Sequence, residues 1–195
     1  MANSSFFTLP NAIRVMIFGG VFAVLLVIVQ SCSVPKTGLD LFAKDSLKKL
    51  TILDGPPVPP DMTFLLPDET PMQLSDYRGK VILLNVWATW CAPCIAEMPA
   101  LSALQNERGN AKFEVVTVSL DRTAEEAASW LKENGIDNLP GWHDASFSLS
   151  SKLLLSGLPT SVFYNQRGQK IARLPGEADW TSPEALALID KLTEP

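Results

Sequence analysis

Cys91 and Cys94 are separated by Ala92 and Pro93, and they follow a continuous apolar run from Val81 to Val86. A thiolate is the attacking species in disulfide exchange, and a second thiol close by can displace the first from a mixed disulfide. A helix beginning at this pair would stabilise negative charge on the first sulfur through its free amides and its dipole. The pattern predicts Cys91 as nucleophile and Cys94, one turn deeper, as the resolving thiol, the two forming a redox-active disulfide. Pro93 suits the first helical turn, where its missing N–H costs nothing. Glu97 falls three residues after Cys94, on the same helix face. Its carboxylate is a candidate proton acceptor for the resolving thiol; the alternative is a solvated helix charge.

Other chemistries fit less well. Zinc needs two ligands beyond the pair, and only His143 and the distant Cys32 remain. Following Gly141 and Trp142 in an irregular stretch, His143 reads as a loop residue. Three cysteines are too few for a disulfide framework, and the loop that carries a peroxidatic cysteine is absent. A net charge of −5, with Arg14 the sole Lys or Arg before Lys36, argues against a nucleic-acid surface. No metal and no cofactor is expected.

The elements that must position the pair follow from local pattern. Val81 to Val86 reads as a strand buried on both faces, and Phe113 to Leu120 as a second. Between them a helix should run from the cysteines to about Glu107. Thr123 and Glu126 form a capping box for a helix to Asn134. Earlier, Thr63 to Leu66 and Met72 to Leu74 flank Pro67-Asp68-Glu69-Thr70 as a hairpin. Later, Ser148 to Leu155 is predicted helical, Thr160 to Asn165 and Gln169 to Leu174 form a hairpin across Gln166-Arg167-Gly168, and Ser182-Pro183-Glu184 opens a final helix. This order defines an α/β fold with a mixed central sheet flanked by helices.

Ahead of that domain, every residue from Val15 to Val29 is apolar or glycine, after one positive charge, as in a membrane-targeting segment. As a helix the run rises about 22 Å, and extending it to Val34 gives about 20 residues, the length that spans a hydrocarbon core. The expectation is an N-terminal membrane anchor over residues 1–34, with a lipoprotein box ending at Cys32 and a cleaved signal as open alternatives. Residues 35–61 read as a linker, with a short amphipathic run (Leu39, Leu41, Phe42, Leu47, Leu50) before Gly55-Pro56-Pro57-Val58-Pro59-Pro60, whose prolines favour an extended chain. The folded domain is expected over residues 62–195.

The WCAPC motif, Pro99 in the helix behind it, and Gly157-Leu158-Pro159-Thr160 ahead of a strand resemble the thioredoxin superfamily over about Met62 to Leu192. The NVWATWCAPC core, the following Glu-Met-Pro, and the stretch from Pro175 to Trp180 with Ser182 to Leu186 are similar to the TlpA branch. Its members are membrane-anchored periplasmic reductants involved in cytochrome and copper-oxidase maturation, related to ResA-like proteins. The resemblance implies a thioredoxin-like fold, with a branch-specific insertion within about Asp121 to Phe147. It implies a cis-proline at Pro159, substrate pairing through the backbone of Leu158, Trp90 as a surface lip and Trp87 as partly buried support. It also implies the proton-acceptor role for Glu97, because thioredoxin's buried Asp, six residues before its first Cys, is Asn85 here.

The function so implied is a thiol–disulfide oxidoreductase reducing protein disulfides in the periplasm, attached to a bacterial inner membrane. Electrons would come from an integral-membrane dithiol donor, and the acceptors would be Cys pairs of copper-site or apocytochrome proteins. The rival is a copper-binding metallochaperone similar to the Sco family, since soft thiolates select Cu(I). That family places three residues between its cysteines, and this chain has two.

Overall fold

The computed structural model describes residues 38–53 and 62–194, so the predicted anchor over residues 1–34 and the Gly55 to Pro60 run lie outside it. Among the described residues no helix is long and apolar enough to cross a membrane. Eight strands form one sheet: β1 (Thr51–Ile52), β2 (Thr63–Leu65), β3 (Pro71–Gln73), β4 (Val81–Trp87), β5 (Phe113–Ser119), β6 (Trp142–His143), β7 (Thr160–Tyr164) and β8 (Lys170–Pro175). Among the described residues four α-helices accompany them: α1 (Ala92–Arg108), α2 (Ala124–Glu133), α3 (Ser148–Lys152) and α4 (Pro183–Thr193). The order across the sheet is β1-β8-β7-β4-β5-β6-β2-β3.

Strand β4 is buried at every position, as its unbroken apolar run demands, because helices pack against it from both faces of the sheet. It pairs in parallel with β5 and antiparallel with β7, which makes the sheet mixed. Its side chains alternate: Leu83 and Trp87 join a core with α1, α2 and α4, while Ile82, Leu84 and Val86 join a second core with Leu149 and Leu153 of α3. The parallel β4–β5 step needs a crossover, and α1 supplies it. The C-terminal end of β4 therefore delivers the chain into the N-terminus of α1, where the cysteines lie. This is the thioredoxin-like α/β arrangement expected from the sequence, including the β2–β3 and β7–β8 hairpins. The predicted capping residue also holds, Thr123 Oγ1 accepting the Glu126 amide at 3.4 Å.

Two expectations need correction. The helix foreseen over Ser148 to Leu155 stops at Lys152. Leu154 takes a left-handed φ of 51°, and the Arg173 guanidinium donates to the carbonyls of Leu153 and Leu154 at 3.1 and 2.9 Å, satisfying groups that another turn would have used. The stretch assigned to the linker is not all spacer. Leu39, Leu47 and Leu50 sink into the α1/α4 core, and Thr51–Ile52 pairs with β8 as an edge strand. The amphipathic spacing that looked like a passing feature of a tether is the buried face of a strap over residues 39–52.

If the strap belongs to the domain, truncating its most buried side chain should cost what a core truncation costs. Leu47 is fully buried, so Leu47→Ala should lower unfolding stability by about 2–4 kcal/mol in urea titration. A loss below about 0.5 kcal/mol would mark the strap as loosely laid linker.

Candidate active site

Between β4 and α1 the chain makes a turn, closed by the Cys91 amide donating to the Ala88 carbonyl at 3.1 Å. A buried carboxylate holds this turn from the neighbouring strand. The Thr89 amide donates to Asp121 Oδ1 and Oδ2 at 3.0 and 3.1 Å, and the Thr89 hydroxyl to Oδ1 at 2.7 Å. Ser119 Oγ donates to Oδ2 at 2.6 Å and itself accepts the Asp121 amide at 2.8 Å. Asp121 stands two residues beyond the end of β5, so the parallel β4–β5 register is what sets the height of the turn.

Cys91 is the N-cap of α1, with extended φ and ψ of −96° and 100°, and its carbonyl accepts the Ile95 amide at 3.1 Å. Pro93 stands in the first turn, as predicted. Cys91 and Cys94 are joined as a disulfide with their Cα atoms 5.2 Å apart. Their exposure differs: Cys91 keeps 7% of its surface and Cys94 none. Trp90, beside the pair, is 68% exposed. Trp87 departs from the expected partial burial. It is fully buried and meets Trp130 of α2 edge to face at 5.5 Å, because α2 covers a surface that sequence alone left open.

Glu97 is not a solvated helix charge. It is buried, at 4% exposure, and its carboxylate receives three donors from two parts of the chain, β4 and the loop before α4. Asn85 Nδ2 of β4 donates to Oε1 at 2.7 Å; the Ala178 amide and Trp180 Nε1 donate to Oε2 at 3.1 and 3.2 Å. Asn85 also donates to Ser161 Oγ of β7 at 3.0 Å, so the acid is tied through one amide to the two central strands. Burial pushes the Glu97 carboxyl up to about 7, against the pull of those three donors and with some help from the charge of Glu177. A group poised there can hold or release a proton near neutrality.

Leu158-Pro159 is a cis peptide at the start of β7. The Pro159 carbonyl accepts the Gly176 amide at 2.8 Å, and Leu158 packs against the core that contains both cysteines. Since Thr160 pairs with Val86, this dipeptide lies beside the end of β4 from which the active turn springs. His143 is not a loop residue: it belongs to β6, is buried, and its Nε2 lies 2.9 Å from the Asp121 carbonyl. Among the described residues no group of three or more His, Cys, Asp or Glu side chains is arranged to hold a metal. Asn85, Asp121, Ser161 and Trp180 were not singled out as site residues from the sequence. Asn85 alone carried a signal, as the amide standing where thioredoxin has an acid.

The geometry defines a thioredoxin-like domain with a cysteine pair at the head of its central helix. A family model described as Redoxin matches residues 53–185. The chain belongs to that family. Thiol-disulfide oxidoreductase ResA of Oceanobacillus iheyensis is 36% identical over 102 residues, which are 52% of this chain and 53% of that one. The chain thus spans about half the length of that relative. Among solved structures, the exposed lipoprotein thioredoxin of Streptococcus pneumoniae superposes with a TM-score of 0.56 at 25% identity, covering 68% of this chain and 98% of that one. A Chlorobium tepidum protein described as a thiol:disulfide interchange protein, DsbE, gives 0.60 at 25%, covering 70% and 99%.

The raised Glu97 acidity has a thermodynamic sign. Between its ordinary value of 4.5 and about 7 the unfolded chain has lost this proton while the folded chain keeps it. Stability therefore falls as pH rises through that window and levels off above it. The size is about 3 kcal/mol. Glu97→Gln cannot ionise, so the wild-type minus variant difference in the oxidised protein should decline by that order between pH 4.5 and 8 in urea denaturation. A difference independent of pH would contradict the assignment.

Proposed function

We propose that this chain is a thiol–disulfide oxidoreductase that reduces protein disulfides on the outer side of a bacterial inner membrane. The observation that carries the reading is the unequal exposure of the two sulfurs at a helix N-terminus, 7% for Cys91 and none for Cys94. Only Cys91 is offered to a substrate. Its thiolate attacks one substrate sulfur, forming a mixed disulfide and releasing the other substrate sulfur as a thiolate. Cys94 then gives its proton to Glu97 and attacks Cys91. The Cys91–Cys94 bond forms, the bond to substrate breaks, and the substrate leaves reduced.

Trp90 and the Leu158-Pro159 backbone flank this exchange: the first as an exposed apolar lip, the second as an edge that substrate backbone can pair with. The relatives' names support the chemistry, being those of thiol-disulfide oxidoreductases and an exposed lipoprotein thioredoxin. The apolar N-terminal run supports attachment by residues 1–34, and the Pro-rich run that follows a spacing role. Within that reading the substrates are Cys pairs of proteins maturing toward cytochrome oxidase or cytochrome c, and the electrons come from an integral-membrane dithiol carrier.

The order of attack is open to trapping. Cys94→Ser should accumulate a mixed disulfide on Cys91 with a peptide disulfide substrate, seen on non-reducing gels and mapped by mass spectrometry, whereas Cys91→Ser should reduce substrate at least a hundredfold more slowly than wild type. Adducts on Cys94, or an active Cys91→Ser, would reverse the assignment.

A further inference from the structure

Glu97 is buried from the sheet side by Asn85 and from the loop side by Ala178 and Trp180, yet it also borders a groove of about 600 Å³. One wall of that groove is the exposed face of α1 at Ala96 and Ala100; another is the loop from Glu177 to Asp179. The remaining wall is the strap, at Asp45, Ser46, Lys48 and Lys49. An open groove with acidic and basic side chains in its lining and a carboxyl group at its edge is a space that holds water. Lys49 reaches across it: a Cβ added to Gly176 would stand 3.2 Å from Lys49 Nζ, which puts the ammonium next to Glu177 in the chain. The strap, apart from its junction with the domain, lies before residue 53, where the Redoxin match begins.

We propose that the strap over residues 39–52 is a working part of the site: its Asp45 to Lys49 turn walls the hydrated groove through which Glu97 exchanges its proton with solvent, and the charges on that wall set the pH at which Glu97 acts as a base. The inference rests on the reading of Glu97 as the acceptor for Cys94. In each turnover the Cys94 proton passes to the Glu97 carboxylate, the sulfur's electron pair closes the Cys91–Cys94 bond, and the departing substrate thiolate takes its proton from water. Glu97 must then return one proton before the next cycle. Asn85 of the sheet and the Ala178 and Trp180 donors close its other sides, and the groove is the side left open to solvent. Facing it are Asp45, Lys48 and Lys49 from the strap and Glu177 and Asp179 from the loop; Asn85 and Trp180 complete its surroundings as neutral donors. Glu177 is the charged neighbour that acts on the carboxylate, raising its pKa, and the strap lysines line the same groove.

The test uses the full-length protein with Ellman's reagent. The first thionitrobenzoate release reports attack by Cys91 and the second reports resolution by Cys94, so the pH midpoint of the second phase reads the base. Lys49→Glu, a change of two charge units, should move that midpoint up by about one pH unit, and Ser46→Lys, a change of one, should move it down by about half a unit at low salt, the size expected per unit charge about 8–10 Å away in a partly hydrated site. Both shifts should shrink as salt is raised. Glu133→Lys, on the far end of α2, changes net charge without touching the groove and should leave the midpoint in place. Unmoved midpoints in both groove variants, with a Glu97→Gln profile that has lost its step, would overturn the role of the strap and spare the base. A Glu97→Gln profile identical to wild type would overturn the base and this inference with it.

Discussion

The central constraint in this domain is one carboxylate kept out of water on the helix that begins at the Cys91–Cys94 pair. Glu97 can be buried because Asn85, the Ala178 amide and Trp180 all aim donors at it. An ionised carboxylate without such donors would be too costly in that position. The donors come from β4 and from the loop before α4, so the position of the acid fixes how both pack on α1. The strap completes the enclosure from outside. Burial and donation pull the acidity in opposite directions, and burial wins, which leaves the group near 7. A carboxylate donor set in which every partner is neutral is what allows that result, since an arginine or lysine in contact would have held the acid well below neutrality.

A second buried carboxylate does a different task by a different arrangement. Asp121 spends its oxygens on the Thr89 amide and hydroxyl and on Ser119, all within the turn that precedes Cys91 or the strand beside it. It acts on geometry. The turn is pinned to β5, the helix starts at a set height above the sheet, and the first sulfur stays at the surface while the second is sealed. His143, tied to the Asp121 carbonyl from β6, extends the same brace into the segment that follows β5. That segment thereby supports the turn before Cys91 as well as covering Trp87 with Trp130.

Much of this was legible where the signal is local. The unbroken apolar run of β4, the Thr123 cap and the Cys-Ala-Pro-Cys spacing each depend on neighbours within a few residues, and β4, the start of α2 and the cysteine pair at the head of α1 came out where the pattern put them. What failed depended on distant partners. Leu39, Leu47 and Leu50 looked like a brief amphipathic run beside prolines, because their burial is decided by α1 and α4, far along the chain. Glu97 could be placed on the face of Cys94, but its partners stand 12, 81 and 83 residues away. Nothing in the local pattern separates a solvated helix charge from a buried acid. Asp121 and His143 were hidden for the same reason, their roles being set by a parallel strand register.

The account stands or falls on whether Glu97 and Cys94 share a proton, and the direct measurement is a carbon-13 NMR titration of the Glu97 carboxyl in the oxidised and reduced proteins. With the disulfide closed, the account predicts a single titration near 7. With the thiols free, it predicts two coupled steps, the carboxyl signal reporting a second inflection at the pH where Cys94 ionises. A carboxyl that titrates near 4.5, or one whose single midpoint is the same in both redox states, would contradict it.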